Sequence, residues 1–151
     1  MPAELTTFVD IDATPGRVWQ VLTDLPAYAE WNPFVTEASG AVVVGERLSV
    51  RVPPVNAFVP ATLRPTVVEV IDGQVLRWLG RFWVSGLFDA DHSFVVKPLG
   101  ASRTALVQRE QFSGLLVPFF RRSLDRGTLP AFEAMNAALK DQAEQATAAR
   151  G

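Results

Sequence analysis

Residues 14–35 read TPGRVWQVLTDLPAYAEWNPFV and contain the signals of two short helices. Thr14 is a suitable N-cap, and the proline that follows it fits the first helical position. Four apolar residues then recur at helical spacing: Val18, Trp19, Val21 and Leu22. This pattern predicts a helix over 15–23. The segment LPAYAEW predicts a second short helix, which Asn32-Pro33 ends because a residue before proline disfavours helical backbone.

Strand-like segments lie on both sides of this helical stretch. Apolar and β-branched residues separated by glycine and proline predict a first strand before it and several strands after it. Asp72-Gly73 is a strong hairpin signal, and PLGAS separates two further alternating segments. The predicted strands are 4–12, 35–39, 47–53, 61–71, 75–84, 91–97 and 103–112. Neighbouring strands joined in this way predict an antiparallel meander.

The last third of the chain changes to helical periodicity. Four apolar residues fall at i, i+3, i+7 and i+11, with charged residues on the other faces: Phe132, Met135, Leu139 and Ala143. We therefore predict a long amphipathic helix over 118–146. Gly127 and Pro130 lie inside it and predict a kink or break near 126–130.

Composition limits the class of protein. A chain of 151 residues fits one domain, predicted over 1–151, and 48% hydrophobic residues supply a large core. No apolar run reaches the ~20 residues that span a bilayer, and acidic residues interrupt the N-terminus where a secretion signal is apolar. With no cysteine and a net charge of −2, disulfides and a nucleic-acid partner are not expected. We expect a cytoplasmic protein without stable membrane insertion.

The apolar excess points to an internal cavity. A long helix can cover one face of a meander, and a strongly curved sheet leaves a hollow beside such a helix. Side chains can then line a pocket as well as fill a core. The sequence predicts an α+β fold: a curved antiparallel sheet of about seven strands around a long C-terminal helix, with two short helices after strand 1.

Four segments resemble a known superfamily. Besides residues 14–35, these are VLRWLGRFWVSGLFDADHSFVVKPLG, TALVQREQFSGLLVPF and AFEAMNAALKDQAE. Together they resemble the START/polyketide-cyclase-like (SRPBCC) superfamily, in its bacterial cyclase/dehydratase-like branch, over about 4–146. The resemblance implies a helix-grip fold. It implies no single function, because the fold hosts lipid carriers, hormone receptors, cyclases, hydrolases and chaperone activators.

One strand pairing brings the single histidine to a carboxylate. If Pro98 faces Thr104 in the last hairpin, then stepping back by pairs puts His92 opposite Glu110. The alternating apolar residues of both strands mark this face as the inner one. His92 and Glu110 are therefore the candidate catalytic pair, since an imidazole beside a carboxylate suits acid/base chemistry. The alternative is a structural polar pair without chemistry.

The strand over 75–84 leaves two orientations open. A tight turn at Ser85-Gly86 would aim Arg81 into the cavity, where a guanidinium could hold an anionic ligand group. A longer loop reverses the alternation and aims Trp78 inward instead. The resemblance favours the second orientation. Arg81 remains a candidate ligand-binding residue under the first.

Aromatic and apolar residues supply the remaining candidates for a ligand-binding wall. They are Trp31, Trp78, Phe94, Phe112, Phe132 and Met135. A pocket built from them would suit a flat or hydrophobic ligand. For each one the alternative is plain core packing, and for Trp31 it is a structural anchor whose neighbour Asn32 bonds the turn backbone.

The favoured function is binding of a small hydrophobic or aromatic ligand, lipid- or polyketide-like, between the sheet and the C-terminal helix. The first alternative is a cofactor-independent polyketide cyclase/dehydratase that uses His92 and Glu110, with Arg81 stabilising an enolate. The second is a protein-interaction module of the chaperone-activator kind. No cofactor and no metal site is expected. A homodimer could form through the edge strand at 35–39 or the phenylalanines at 119–120.

Overall fold

The computed structural model describes residues 3–52, 61–82, 86, 88–119 and 127–150. Two helices follow the first strand, and one long helix closes the described chain: α1 (Pro15–Thr23), α2 (Tyr28–Trp31) and α3 (Leu129–Arg150). The strands in order are β1 (Ala3–Ile11), β2 (Glu37–Ser39), β3 (Ser49–Val52), β4 (Ala61–Leu63), β5 (Thr66–Ile71), β6 (Val75–Phe82), β7 (Phe88–Gly100) and β8 (Arg103–Ser113). A single 3-10 turn joins α1 to α2.

The strands form two antiparallel sheets. The larger has the order β1-β8-β7-β6-β5, and the smaller has the order β2-β3-β4. The predicted α+β helix-grip fold is confirmed, with eight described strands where about seven were expected. The predicted strand 61–71 is in fact two strands in different sheets. Pro65 divides them, because proline has no N–H to donate to a ladder.

The two short helices form as their sequence predicts. The Thr14 hydroxyl accepts the Arg17 N–H at 3.1 Å and caps α1. The buried Tyr28 phenol donates to the Leu22 carbonyl near the end of α1, where helical carbonyls lack partners. Burial raises the pKa of this phenol above its usual range. Asn32 ends α2, and its Oδ1 accepts the backbone N–H groups of residues 34 and 35 at 2.9 Å.

Helix α3 packs against β1 and α1, and its apolar stripe is part of the core. The four predicted stripe residues are fully buried: Phe132, Met135, Leu139 and Ala143. Residues 117–119 are helical, next to the predicted start at 118, and an irregular turn falls within the range of the predicted kink or break near 126–130. Helix α3 begins at Leu129 after a π turn at 127–128, so Pro130 lies in its first turn, where proline is tolerated. Residues 120–126 lie outside the described chain.

The outer face of the five-stranded sheet carries exposed ion pairs. Arg77 binds both carboxylate oxygens of Asp91, with Nε at 2.8 Å and Nη2 at 2.6 Å. Arg109 binds Glu4 at 2.8 Å. Hydrogen bonds from Arg109, Gln111 and Thr6 lower the pKa of Glu4 to about 2. Arg77 and Arg109 therefore lie on the solvent face, as the preferred strand orientation predicts.

Candidate functional site

A cavity of about 330 Å³ lies between the inner face of the larger sheet and the smaller sheet. Strands β6, β7 and β8 form one wall, and β3, β4 and the segment after α2 form the other. The described lining residues are Phe34, Val35, Val50, Val52, Thr62, Leu63, Arg64, Pro65, Trp78, Gly80, Ala90, His92 and Glu110. Apolar side chains dominate, with the His92–Glu110 pair in the wall.

The hollow exists because two of the smallest residues sit opposite each other. Gly80 of β6 pairs with Ala90 of β7, and both line the cavity. A Cβ added at Gly80 would make ordinary van der Waals contacts, at 3.9 Å, with the Ala90 carbonyl oxygen and Pro65 Cβ, so the position tolerates a small side chain without a clash. The neighbouring pair, Trp78 and His92, carries large rings instead. The cavity therefore lies beside the Gly80–Ala90 pair, where the side chains are small.

The predicted register of the last hairpin is confirmed. Pro98 pairs with Thr104 and His92 pairs with Glu110. His92 Nδ1 lies 3.1 Å from Glu110 Oε2, and the two side chains are 5% and 12% exposed. Glu110 lines the cavity, so its carboxyl group is available to a bound molecule. The pairing places one carboxyl group in an otherwise mostly apolar wall.

Aromatic rings surround the imidazole. Phe94 stacks on it with centroids 4.5 Å apart and planes 22° apart. The centroids of Phe132 and Trp78 lie 5.1 and 5.4 Å from it. Trp78 lies opposite His92 and is buried, which matches the preferred orientation of β6. Stacking fixes the ring plane, so the two nitrogens can bond only in that plane.

Three polar residues that the sequence analysis left unassigned connect to His92. Its Nε2 lies 2.9 Å from Gln108 Oε1, and Gln108 Nε2 donates to Asn136 Oδ1 at 2.7 Å. Asn136 Nδ2 then donates to the Thr7 hydroxyl at 2.8 Å. All three are buried. The available signal was a polar residue on an apolar face: Gln108 alternates with Leu106, and Asn136 lies one turn after Phe132.

The other predicted wall residues lie apart from the cavity lining. Phe94, Phe132 and Met135 are fully buried in the core, and Phe112 packs in a second cluster with Phe132. These side chains fill the space beside α3, so the cavity lies between the two sheets and not against the C-terminal helix. The ring of Phe34 packs edge-on against that of Phe132, with centroids 5.3 Å apart, and separates α3 from the cavity.

Trp31 and Arg81 are also not among the described residues that line the cavity. The Trp31 ring packs edge-on against Tyr28 at 5.0 Å and lines a separate groove of about 70 Å³ beside α1. This position fits the structural-anchor alternative. Arg81 pairs with Asp89 through the backbone of β6 and β7. The Arg81 side chain lies outside the described part of the structure.

Two further observations concern the described residues only. No group of three or more histidine, cysteine, aspartate or glutamate side chains in them could hold a metal ion. No helix among them has the length and apolarity to cross a membrane.

A family model places the sequence among known proteins. Residues 2–144 match the family described as "Polyketide cyclase / dehydrase and lipid transport". The match covers most of the chain and confirms the superfamily resemblance. A search of curated proteins gives no match.

Solved structures share the fold at low sequence identity. The Zhui aromatase/cyclase from Streptomyces sp. R1128 is 18% identical with a TM-score of 0.78, covering 100% of this chain and 99% of that one. A START superfamily protein from Mycobacterium smegmatis is 16% identical with a TM-score of 0.72, covering 94% and 97%. Norcoclaurine synthase from Thalictrum flavum is 14% identical with a TM-score of 0.69, covering 96% and 88%. At such identities the likeness concerns the fold.

Proposed function

Because the chain belongs to the polyketide cyclase/dehydrase and lipid transport family, we propose that it binds a small, flat hydrophobic ligand between its two sheets. The observation that carries this proposal is the cavity of about 330 Å³, whose mostly apolar wall includes the Glu110 carboxyl group. Family membership supports hydrophobic binding in general. The cavity supports a mostly apolar ligand with a polar group that Glu110 can bind.

Size and chemistry narrow the ligand. Ligand pockets occupy ~300–1,000 Å³, and this cavity lies at the lower end of that range. Trp78 and Phe34 offer ring surface to a planar molecule. Glu110 offers one hydrogen-bonding position, while His92 uses both ring nitrogens on protein partners. We therefore expect a ligand about the size of two fused rings with one hydroxyl or carbonyl group, bound at Glu110.

Two probes that differ by one hydroxyl group test the binding site. We expect calorimetry to detect binding of both naphthalene and 2-naphthol. Gly80→Val adds a branched side chain to the cavity wall, where a Cβ makes only ordinary van der Waals contacts, so it should abolish binding of both probes while the fold is kept. The matched control is Ala105→Val on the half-exposed outer face of β8, which should change neither affinity. Retained binding in Gly80→Val would place the ligand elsewhere.

The polar end of the ligand is tested at Glu110. Glu110→Met removes the carboxyl group and keeps most of the side-chain volume. It should weaken 2-naphthol about 10-fold, because one hydrogen bond contributes ~1–1.5 kcal/mol. Naphthalene affinity should not fall. Glu4→Met, the same change on the outer face, is the control. An equal loss for both probes would contradict a direct contact between Glu110 and the hydroxyl group.

We propose as a second function a cyclase/dehydratase reaction at the same site, favoured by the 3.1 Å contact between His92 and Glu110 at the cavity wall. In dehydration, a base removes a proton from the carbon beside a carbonyl, and an acid protonates the hydroxyl group, which leaves as water. The His92–Glu110 pair gives one proton and regains one, so no cofactor is needed. The predicted role of Arg81 in stabilising an enolate required the other orientation of β6, so we argue the reaction from His92 and Glu110 alone.

Turnover separates the two functions. A short β-hydroxy ketone thioester should lose water in the presence of the protein if the second function holds, as mass spectrometry would detect. Glu110→Gln should then lower kcat at least 100-fold with little change in KM. Binding without water loss leaves the carrier function alone. Equal turnover in wild type and Glu110→Gln would remove the pair from the reaction.

A homodimer and a cytoplasmic location remain predictions from the sequence. The third alternative, a protein-interaction module, predicted a filled core, and the cavity differs from that expectation.

A further inference from the structure

The buried chain of Gln108, Asn136 and Thr7 has a defined direction. The Thr7 hydroxyl lies 3.4 Å from the backbone carbonyl of Gln108, and a carbonyl can only accept a hydrogen bond. With its proton directed there, the hydroxyl oxygen accepts from Asn136 Nδ2 at 2.8 Å. Asn136 Oδ1 is left to accept from Gln108 Nε2 at 2.7 Å. Gln108 therefore presents its oxygen, not its amide nitrogen, to the histidine.

This direction decides which histidine nitrogen carries a proton. Gln108 Oε1 can only accept, so His92 Nε2, at 2.9 Å, must donate. Which ring nitrogen is protonated is set by the bond that the other nitrogen makes. With Nε2 protonated, Nδ1 and Glu110 Oε2 face each other at 3.1 Å. One proton must lie between them, on either atom, because two lone pairs would repel each other in a buried site.

We propose that Gln108, Asn136 and Thr7 are positioning residues that fix His92 as the Nε2–H tautomer, so that the His92–Glu110 pair holds one proton at the cavity wall. Because that proton occupies the contact between Nδ1 and Oε2, the ligand meets the other carboxyl oxygen of Glu110, which accepts a hydrogen bond. Resting on the proposed function, this favours a ligand whose polar end is a donor, such as a hydroxyl group. The tautomer itself does not depend on any ligand.

If the hydrogen bonds of this chain ran in the opposite direction, a different nitrogen of His92 would carry the proton. Turning both amides by 180° would direct the Gln108 amide group at Nε2 and make Nδ1 the protonated nitrogen. His92 would then donate to a Glu110 carboxylate, and the pair would act as a base. That arrangement also directs the Thr7 proton at Asn136 and removes its bond to the Gln108 carbonyl. The two directions therefore differ in one measurable property, the neutral tautomer of His92.

Nitrogen NMR can measure this property directly because the chain contains one histidine. In ¹⁵N-labelled wild-type protein without ligand, the ring nitrogen shifts and their couplings to the ring protons identify the protonated nitrogen. We expect Nε2–H in the form that remains after the imidazolium has lost a proton. Nδ1–H in that form would overturn the proposal. The probe-binding experiment at Gly80 tests the proposed ligand site separately, whichever ring nitrogen carries the proton.

Variants test whether the chain sets the tautomer. Thr7→Val removes the hydroxyl group at nearly constant volume, so both amides become free to turn, and we expect a mixture of Nε2–H and Nδ1–H. Asn136→Asp still accepts from Gln108 and should keep Nε2–H. Thr6→Val, on the outer face of the same strand, is the matched control and should match wild type. A pure Nε2–H signal in folded Thr7→Val, checked by circular dichroism, would exclude a positioning role for Thr7.

Discussion

Asp91 and His92 are neighbours in β7, yet they face opposite sides of the sheet and form opposite kinds of pair. On the outer face Asp91 has both carboxylate oxygens bound by Arg77, and the two side chains are 24% and 43% exposed. On the inner face His92 meets Glu110 through a single contact, with both side chains nearly buried. Arg77 therefore occupies both oxygens of the Asp91 carboxylate. The inner carboxyl group keeps bonding capacity for a guest in the cavity.

The difference teaches that the number of ion pairs says little about function. Exposed pairs gain little free energy, since water and salt screen their charges. Buried polar groups cost more to leave unpaired, and their hydrogen bonds fix geometry more strictly. In this sheet the polar network that specifies geometry runs inward from Glu110 through His92 and Gln108 to Asn136.

Removing one partner from each pair should give the largest contrast. His92→Ala removes the imidazole partner of Glu110 and of Gln108 Oε1 and empties the space between three rings. We expect a loss of about 3 kcal/mol in the free energy of unfolding. Arg77→Ala on the outer face should cost less than about 1 kcal/mol. Urea unfolding followed by circular dichroism measures both, and similar losses would remove the distinction between the faces.

Salt should separate the two pairs by a smaller amount. In double-mutant cycles, the coupling between Arg77 and Asp91 should fall by at least half in about 1 M NaCl, where the Debye length is only ~3 Å. The coupling between His92 and Glu110 should change little, because salt does not enter the buried contact. Cycles built from alanine variants at low and high salt provide the comparison. A salt-sensitive inner coupling would show that Glu110 is in free exchange with solvent.

The smallest effect concerns the other outer pair, Arg109 with Glu4. Arg109→Ala should raise the pKa of Glu4 from about 2 toward 4.5. Because the folded pKa lies below the ordinary value, the stabilising contribution is full above pH 4.5 and is lost as the pH falls toward 2. Carboxyl-carbon NMR measures the shift. Arg103→Ala, which removes a longer exposed contact, should leave Glu4 unchanged.

Much of the fold follows from local signals in the sequence. The Thr14-Pro15 start of α1, the hairpin register that joins His92 to Glu110 and the apolar stripe of α3 were all predicted, because capping and alternation are local properties. The division at Pro65 was missed, although a proline inside a strand pattern argues against a continuous ladder. Strand alternation by itself does not report that two halves of one segment join different sheets.

The site was only partly predictable for a related reason. Register predicts which side chains are neighbours across a hairpin, so the His92–Glu110 contact followed from sequence. The contact of Gln108 with Asn136 joins a strand to a distant helix, and no local pattern encodes such a meeting. The position of the cavity likewise depends on where two sheets separate. Aromatic residues suggested its walls, but most of those rings were needed to fill the core.

The small pair Gly80 and Ala90 has a consequence for the history of such a protein. Gly80 has no side chain and Ala90 adds only a methyl group to the core, so a larger residue at Gly80 changes the shape offered to a guest without removing a core side chain. Ligand preference and fold stability can then drift separately. A lineage could acquire new guests by one substitution at a time, with each intermediate still folded. Selection on the guest and selection on the scaffold would act on different residues.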